Sequence, residues 1–167
     1  VYKPLPHNKR YIRLLRLSPL PEELKVTLEV FPILSLPPYE ALSYAWGKDA
    51  FSESLEIDSG TMALTPHLFE GVRQLRASLG CTTLWIDAIC INQADSKEKE
   101  GQIPLMAEIY SQAKRVVVWL GAEADGSDHA MTGIPVLSDP SWSRLANLVQ
   151  RPWFRRLWVV QEVVLAK

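Results

Sequence analysis

Leu84-Trp85-Ile86-Asp87-Ala88-Ile89-Cys90-Ile91-Asn92-Gln93 begins as an apolar, β-prone run and passes directly into polar residues that packing alone does not require. Thr83 to Asp87 reads as a short buried strand, and what flanks it decides the fold. Upstream, Thr65-Pro66 supplies an N-cap and a first-turn proline, and Leu68, Val72, Leu75 and Leu79 follow at helical spacing. Before that helix lies a mostly apolar strand, Tyr39 to Trp46. Downstream, Ala88 to Lys99 reads as a polar loop and Leu105 to Ala113 as a helix with Pro104 at its start. Arg115 to Leu120 is a β-branched run expected to form a central strand buried on both faces.

Strand 39–46, helix 65–79, strand 83–87, helix 105–113, strand 115–120 and a last helix, Trp153 to Ala166, repeat a βα unit. That order predicts an α/β fold with a central parallel sheet flanked by helices. Ligands of such sheets bind beyond the carboxyl ends of the strands, here near Ser43 to Gly47, Asp87 to Gln93 and Leu120 to Ala124. Tyr11 to Leu17 and Lys25 to Pro32 read as additional N-terminal strands, the second through the alternation of Val26, Leu28 and Val30 with polar residues. Leu55 to Ile57 and Met62 to Leu64 flank Asp58-Ser59-Gly60 as a hairpin, expected to decorate the core. Glu123 to Pro140 is expected to be a long mobile loop, and Ser141 to Gln150 a helix.

With 167 residues, 47% of them hydrophobic, the chain has enough material for one core and too little for two ordinary domains. Its 18 basic and 19 acidic residues form no basic stripe, which argues against a nucleic-acid partner. No apolar run approaches the roughly 20 residues of a membrane helix, and Val1 to Arg10 lacks a signal pattern, so a cytoplasmic protein with no membrane partner is expected. Cys81 and Cys90 match no zinc or redox spacing; they are read as free thiols. The chain lacks an initiator methionine and stops at Lys167 inside an apolar-periodic segment, which reads as a fragment of a longer protein.

Several residues stand out as chemistry. Asp87, at a strand end, must be hydrogen-bonded, either as a cap organising the loop that follows or as a direct ligand contact. Asn92 and Gln93 offer amide donors and acceptors, although Asn92 equally suits a loop turn. Ser43 and Tyr44 precede Trp46, whose flat face suits a ring, and Gly47, which lets a ligand approach the backbone. No Gly-x-Ser-x-Gly elbow is present, and His7, His67 and His129 lie in unrelated segments without metal spacing. These histidines are expected at exposed or half-buried surface. In the last helix, Leu157, Val160, Val164 and Leu165 can form the core face, leaving Trp158, Gln161 and Glu162 on a neighbouring stripe. A glutamate there is ordinarily solvated, yet Trp153, Trp158 and Arg155 or Arg156 around Glu162 form a partly apolar setting able to perturb it.

Tyr39-Glu40-Ala41-Leu42-Ser43-Tyr44-Ala45-Trp46-Gly47, Leu84 to Gln93, Ile109 to Ala113, Val116 to Gly121 and Arg151 to Glu162 together resemble the fungal heterokaryon incompatibility (HET) domain, over about residues 39–167. The resemblance implies one HET domain across 1–167, with 1–38 supplying N-terminal strands, and a role in cell death on nonself recognition. It also implies a distant relation to Toll/interleukin-receptor (TIR) domains and their flavodoxin-like sheet, some of which hydrolyse NAD through a helical glutamate. Trp158-Val159-Val160-Gln161-Glu162 has that look. By this analogy Glu162 is the catalytic carboxylate on a NAD substrate, with no separate cofactor. Ser43 and Gly47 contact the ligand, Trp46 stacks, Asp87 and Asn92 shape the loop over it, and Tyr44, Gln93, Trp158 and Gln161 support them. The alternative is a noncatalytic module that acts by self-association or by binding another incompatibility protein. His67 departs from the asparagine common in the family, and Pro104 interrupts a family helix.

Overall fold

The computed structural model describes residues 2–6, 10–58, 60–79, 83–132, 139–157 and 159–164. β1 (Tyr11–Leu17) and β2 (Lys25–Pro32) pair antiparallel, from Tyr11 opposite Pro32 to Leu17 opposite Val26. β3 (Glu40–Tyr44) follows, then the hairpin β4 (Glu53–Ile57) and β5 (Gly60–Leu64). Helix α1 (Pro66–Leu79) leads to β6 (Thr83–Trp85). After α2 (Asp87–Cys90), α3 (Ser96–Gln102) and a 3-10 turn at Ile103–Leu105 come α4 (Met106–Gln112) and β7 (Arg115–Trp119). The chain continues through α5 (Ser127–Thr132), α6 (Asp139–Val149), a 3-10 turn at Pro152–Arg155 and α7 (Val159–Val164).

All seven strands share one sheet in the order β5-β4-β2-β1-β6-β3-β7. The sheet is mixed, which corrects the expectation of a parallel one. β3 lies parallel to both β6 and β7, whereas β1 runs antiparallel to β6, and β4 joins parallel to β2. The N-terminal strands and the 53–64 hairpin are therefore not decoration. β1 occupies the free edge of β6 and satisfies backbone groups that an open edge would leave unpaired. Period-2 alternation marks a strand but carries no record of its neighbour, so this pairing was not readable from it.

Side-chain alternation along β3 sorts the helices onto the two faces. Tyr44 stacks toward His67 of α1, while the Tyr39 hydroxyl donates to the Ile109 carbonyl of α4 and Ser43 meets Glu162 of α7. Trp119 lies on the α1 face, where Gly71 makes room for it: a Cβ at Gly71 would come within 2.9 Å of the indole. On the opposite face Trp85 meets Tyr110 edge-on, with ring centroids 5.3 Å apart. Ile12, Leu14, Leu15, Ile33, Ala41, Leu84, Ile86 and Ile109 form the fully buried centre.

Four local expectations are corrected. β7 is the last strand in the order and only half-buried, because an apolar run reports two covered faces but not a free edge. The 88–99 segment is largely helical, with Asp95 capping α3 by accepting from the Lys97 and Glu98 amides at 3.0 and 3.1 Å. That helix, Ser-Lys-Glu-Lys-Glu-Gly-Gln, has no apolar period to announce it. Part of the expected 123–140 loop is helix α5. The expected helix 153–166 is broken: Arg156 is extended (φ −84°, ψ 135°), separating the 3-10 turn from α7.

Cys90 is a buried free thiol, while Cys81 lies outside the described residues. Among the described residues no helix is long and apolar enough to cross a membrane, and no group of three or more His, Cys, Asp or Glu is placed to hold a metal ion.

Candidate functional site

β3 and β6 run parallel, and β6 ends at Trp85 opposite Ala41 while β3 continues to Tyr44, so Ser43 and the segment after it lie beside the start of α2. Ser43 is fully buried. Its hydroxyl donates to Glu162 Oε2 and accepts from the Trp153 indole N–H at 2.7 Å. Arg156 closes on the same carboxylate in a fork, Nη2 to Oε1 at 2.9 Å and Nη1 to Oε2 at 3.1 Å. The break at Arg156 makes this possible, because a continuous helix would hold positions 156 and 162 on different faces.

Glu162 is 1% exposed, whereas Leu157 and Val164 are 85% and 72% exposed. The expected core face of this segment is thus inverted. Three side-chain donors converge on Glu162, which lets a carboxylate occupy the interior, and a helix of six residues follows its best-held side chain rather than its apolar content. Trp158 and Leu165 fall outside the described residues, as do the side chains of Val160 and Gln161.

Beside this group opens a cleft of about 600 Å³, lined by Ala45, Trp46, Gly47, Asp87, Met106 and Arg156 among others. The Trp46 indole N–H donates to Asp87 Oδ2 at 2.9 Å, and the Ala88 amide donates to Oδ1 at 2.7 Å. Asp87 therefore holds the first turn of its own helix through the Ala88 amide and orients Trp46 at the wall of the cleft. Gly47 has φ +73°, a conformation that suits glycine. Arg156 stands between Glu162 and the cleft.

Asn92 and Gln93 are placed elsewhere. The Asn92 side chain accepts from the Ala94 amide at 3.2 Å, the turn-forming role, and Gln93 Nε2 donates to the Asp87 carbonyl at 3.0 Å. Both line a separate cavity of about 290 Å³ with Tyr44, Trp46 and Phe51, so the ring of Trp46 divides it from the cleft. Arg156 and Trp153 enter the site as residues the sequence reading named only as neighbours of Glu162; Arg155, the other arginine considered, is exposed. The Arg-Arg pair gave no means of choosing between them.

Burial raises the Asp87 carboxyl from 3.8 to about 6, against the opposing pull of the Trp46 and Ala88 hydrogen bonds and of Arg156. Burial, and then the Asp87 carboxylate, also pushes the Tyr44 hydroxyl up. Because the folded value of Asp87 lies above the unfolded one, its neutral form favours folding. This contribution is complete below the unfolded value and is lost as pH rises through about 6. The gap in unfolding free energy between the wild type and Asp87→Asn should accordingly shift by about 3 kcal/mol between acid and neutral pH, with the wild type relatively better in acid. Urea titrations of both proteins across that range test it; a constant gap would refute the raised value.

Residues 39–162 match the family model described as Heterokaryon incompatibility protein (HET). The chain is similar to heterokaryon incompatibility protein 6, OR allele, of Neurospora crassa, at 31% identity over 216 residues covering 93% of this chain and 32% of that protein. It is also similar to vegetative incompatibility protein HET-E-1 of Podospora anserina, at 26% identity over 136 residues covering 80% of this chain and 9% of that protein. The chain thus spans less than a third of the length of either relative. No solved structure matches.

Proposed function

The chain belongs to the heterokaryon incompatibility (HET) family, and from that premise we propose that it is the cell-death effector domain of a cytoplasmic fungal incompatibility protein, acting in nonself recognition by TIR-like hydrolysis of NAD. The parallel triplet β6-β3-β7 supports the TIR-like reading, since it corresponds to the 2-1-3 start of a flavodoxin-like sheet. The observation that carries the chemistry is the buried Ser43–Glu162–Arg156 group beside a cleft floored by Gly47 and walled by Trp46 and Asp87.

In this reading Arg156 turns from Glu162 to the pyrophosphate of NAD, since a guanidinium fork suits phosphate as well as carboxylate. Glu162, freed of its partner, faces C1′ of the nicotinamide ribose. As the N-glycosidic bond breaks, its electron pair returns to the pyridine nitrogen and nicotinamide leaves neutral. The positive charge left at C1′ is stabilised by the carboxylate until water adds there and releases a proton. Ser43, held by Trp153, fixes the carboxylate. Trp46, anchored by Asp87, stacks on a ring of the ligand.

The test is nicotinamide release from NAD by the purified domain at low and high protein concentration, beside Glu162→Gln. Release abolished by the substitution supports the enzyme. Absence of release from folded protein at either concentration favours the second reading, a module acting by self-association or by binding another incompatibility protein. The exposed Leu157, Val163 and Val164 side chains of the α7 region favour that alternative.

A further inference from the structure

A second cavity, of about 300 Å³, opens between the carboxyl ends of β3 and β7. From β3 the chain crosses to β6 on one side, then from β6 to β7 on the other, so β3 and β7 flank the point where the strand order reverses. That crevice is where open α/β sheets take ligands. It shares Ala45, Gly47 and Pro152 with the cleft described above, but Trp46, Asp87 and Arg156 do not line it.

Its lining has three parts. The first is aromatic: His67 and Trp119 lie 5.9 Å apart at 40°, and Gly121 keeps the space before them open. With φ +103°, Gly121 brings bare backbone to a point where a Cβ would be 3.3 Å from His67 and 3.8 Å from Arg151. His67 Nε2 is buried with no hydrogen-bond partner among the described residues. Such a nitrogen is costly unless something pairs with it.

The second part is cationic. Arg151 is fixed by donating to the Leu120 carbonyl at 3.0 Å and the Ala124 carbonyl at 3.2 Å. It makes no ion pair with a carboxylate among the described residues, and its guanidinium has donors to spare beyond those two bonds. Two carbonyls orient it without neutralising it.

The third part is acidic, with Asp49 and Asp125 at the exposed mouth. Two carboxylates against one arginine disfavour an anion that offers charge alone or a polyphosphate. They suit a ligand that brings hydroxyl donors along with a single phosphate, as a carboxylate does when it binds a ribose diol.

We propose that the β3/β7 crevice is a mononucleotide-binding site, separate from the Glu162 cleft, in which His67 and Trp119 receive the base, Asp49 the ribose hydroxyls and Arg151 the phosphate. Its volume lies at the low end of the roughly 300–1,000 Å³ of small-molecule sites, which suits one nucleotide and not two. The site needs no reaction, so it stands whether or not the domain hydrolyses NAD.

Calorimetric titration of the purified domain with AMP tests this. Saturable one-site binding is expected, weakened at least about tenfold by Arg151→Gln and by Asp49→Asn and unchanged by Glu162→Gln. Adenosine and inorganic phosphate, used separately, should each bind at least about tenfold more weakly than AMP. Arg151 ties two loops together, so Asp49→Asn, at an exposed position, is the variant whose fold is not in question. The proposal is overturned by absence of saturation at about 1 mM AMP, by an affinity indifferent to Asp49→Asn, by phosphate binding as well as AMP, or by loss of binding in Arg156→Ala while Arg151→Gln still binds. A NAD-hydrolysis assay that reads zero leaves every one of these outcomes intact.

Discussion

Glu98→Ala is expected to lower the unfolding free energy by about 3–5 kcal/mol, the largest loss from any single truncation considered. Its partner, Arg13, sits in the middle of β1 with 1% exposure, where a guanidinium needs a countercharge. Glu98 supplies the countercharge through two oxygens, at 2.5 and 2.9 Å, the Cys90 and Lys3 carbonyls accept further bonds at 3.1 and 2.7 Å, and Nε has no partner among the described residues. Glu98 also accepts from the Asn92 amide at 2.7 Å. Truncation therefore strands a buried cation and a loop amide together. Arg13→Met combined with Glu98→Ala should be less destabilised than Glu98→Ala alone, since removing both charges removes the stranded one. Chemical denaturation of the three proteins measures this, and a double variant worse than the single would show that Arg13 acts through packing rather than charge.

The second large effect concerns catalysis. Glu162→Gln keeps the volume of the side chain and an oxygen able to accept from Ser43, but removes the negative charge. If charge stabilisation at C1′ drives the reaction, nicotinamide release should fall roughly 100-fold to 1,000-fold while the protein stays folded. The variant also sets an amide N–H₂ against the Arg156 fork, a mismatch of about 1–3 kcal/mol that leaves a domain of ordinary stability largely native. Release at wild-type rate from Glu162→Gln would remove Glu162 from the chemistry. A melting transition measured alongside separates that result from unfolding.

The strands were legible wherever periodicity was local. β1 and β2 begin and end at the residues expected of them, β2 by its alternation, and Thr65-Pro66 opens α1 as its capping chemistry requires. What failed was relational. An apolar run cannot report that β7 is an edge, and a polar run such as 96–102 hides a helix whose best local sign is Asp95 ahead of Glu98. The last helix misled most. Its apolar residues invited a core face, but the inward side chain is the one that finds three donor groups, the Ser43 hydroxyl from β3 and both Nη groups of Arg156, the extended residue that breaks the helix. Of the site, Ser43, Trp46, Gly47, Asp87 and Glu162 converge on one region, while Asn92 serves a turn and faces a different cavity. The crevice at β3 and β7 was legible only as a place, Leu120 to Ala124. His67, Arg151 and Asp49 come to it from three segments that no spacing rule connects.

β1 lies in the middle of the sheet, yet it precedes the stretch by which the family is recognised, residues 39–162. The family model starts at Tyr39 but the fold does not: cut there, the chain would lose the strand that seals β6 and the cation that Glu98 meets. A boundary taken from a family model marks where that pattern can be read, and here the cooperative unit starts earlier, in a segment that supplies a central strand and one buried positive charge.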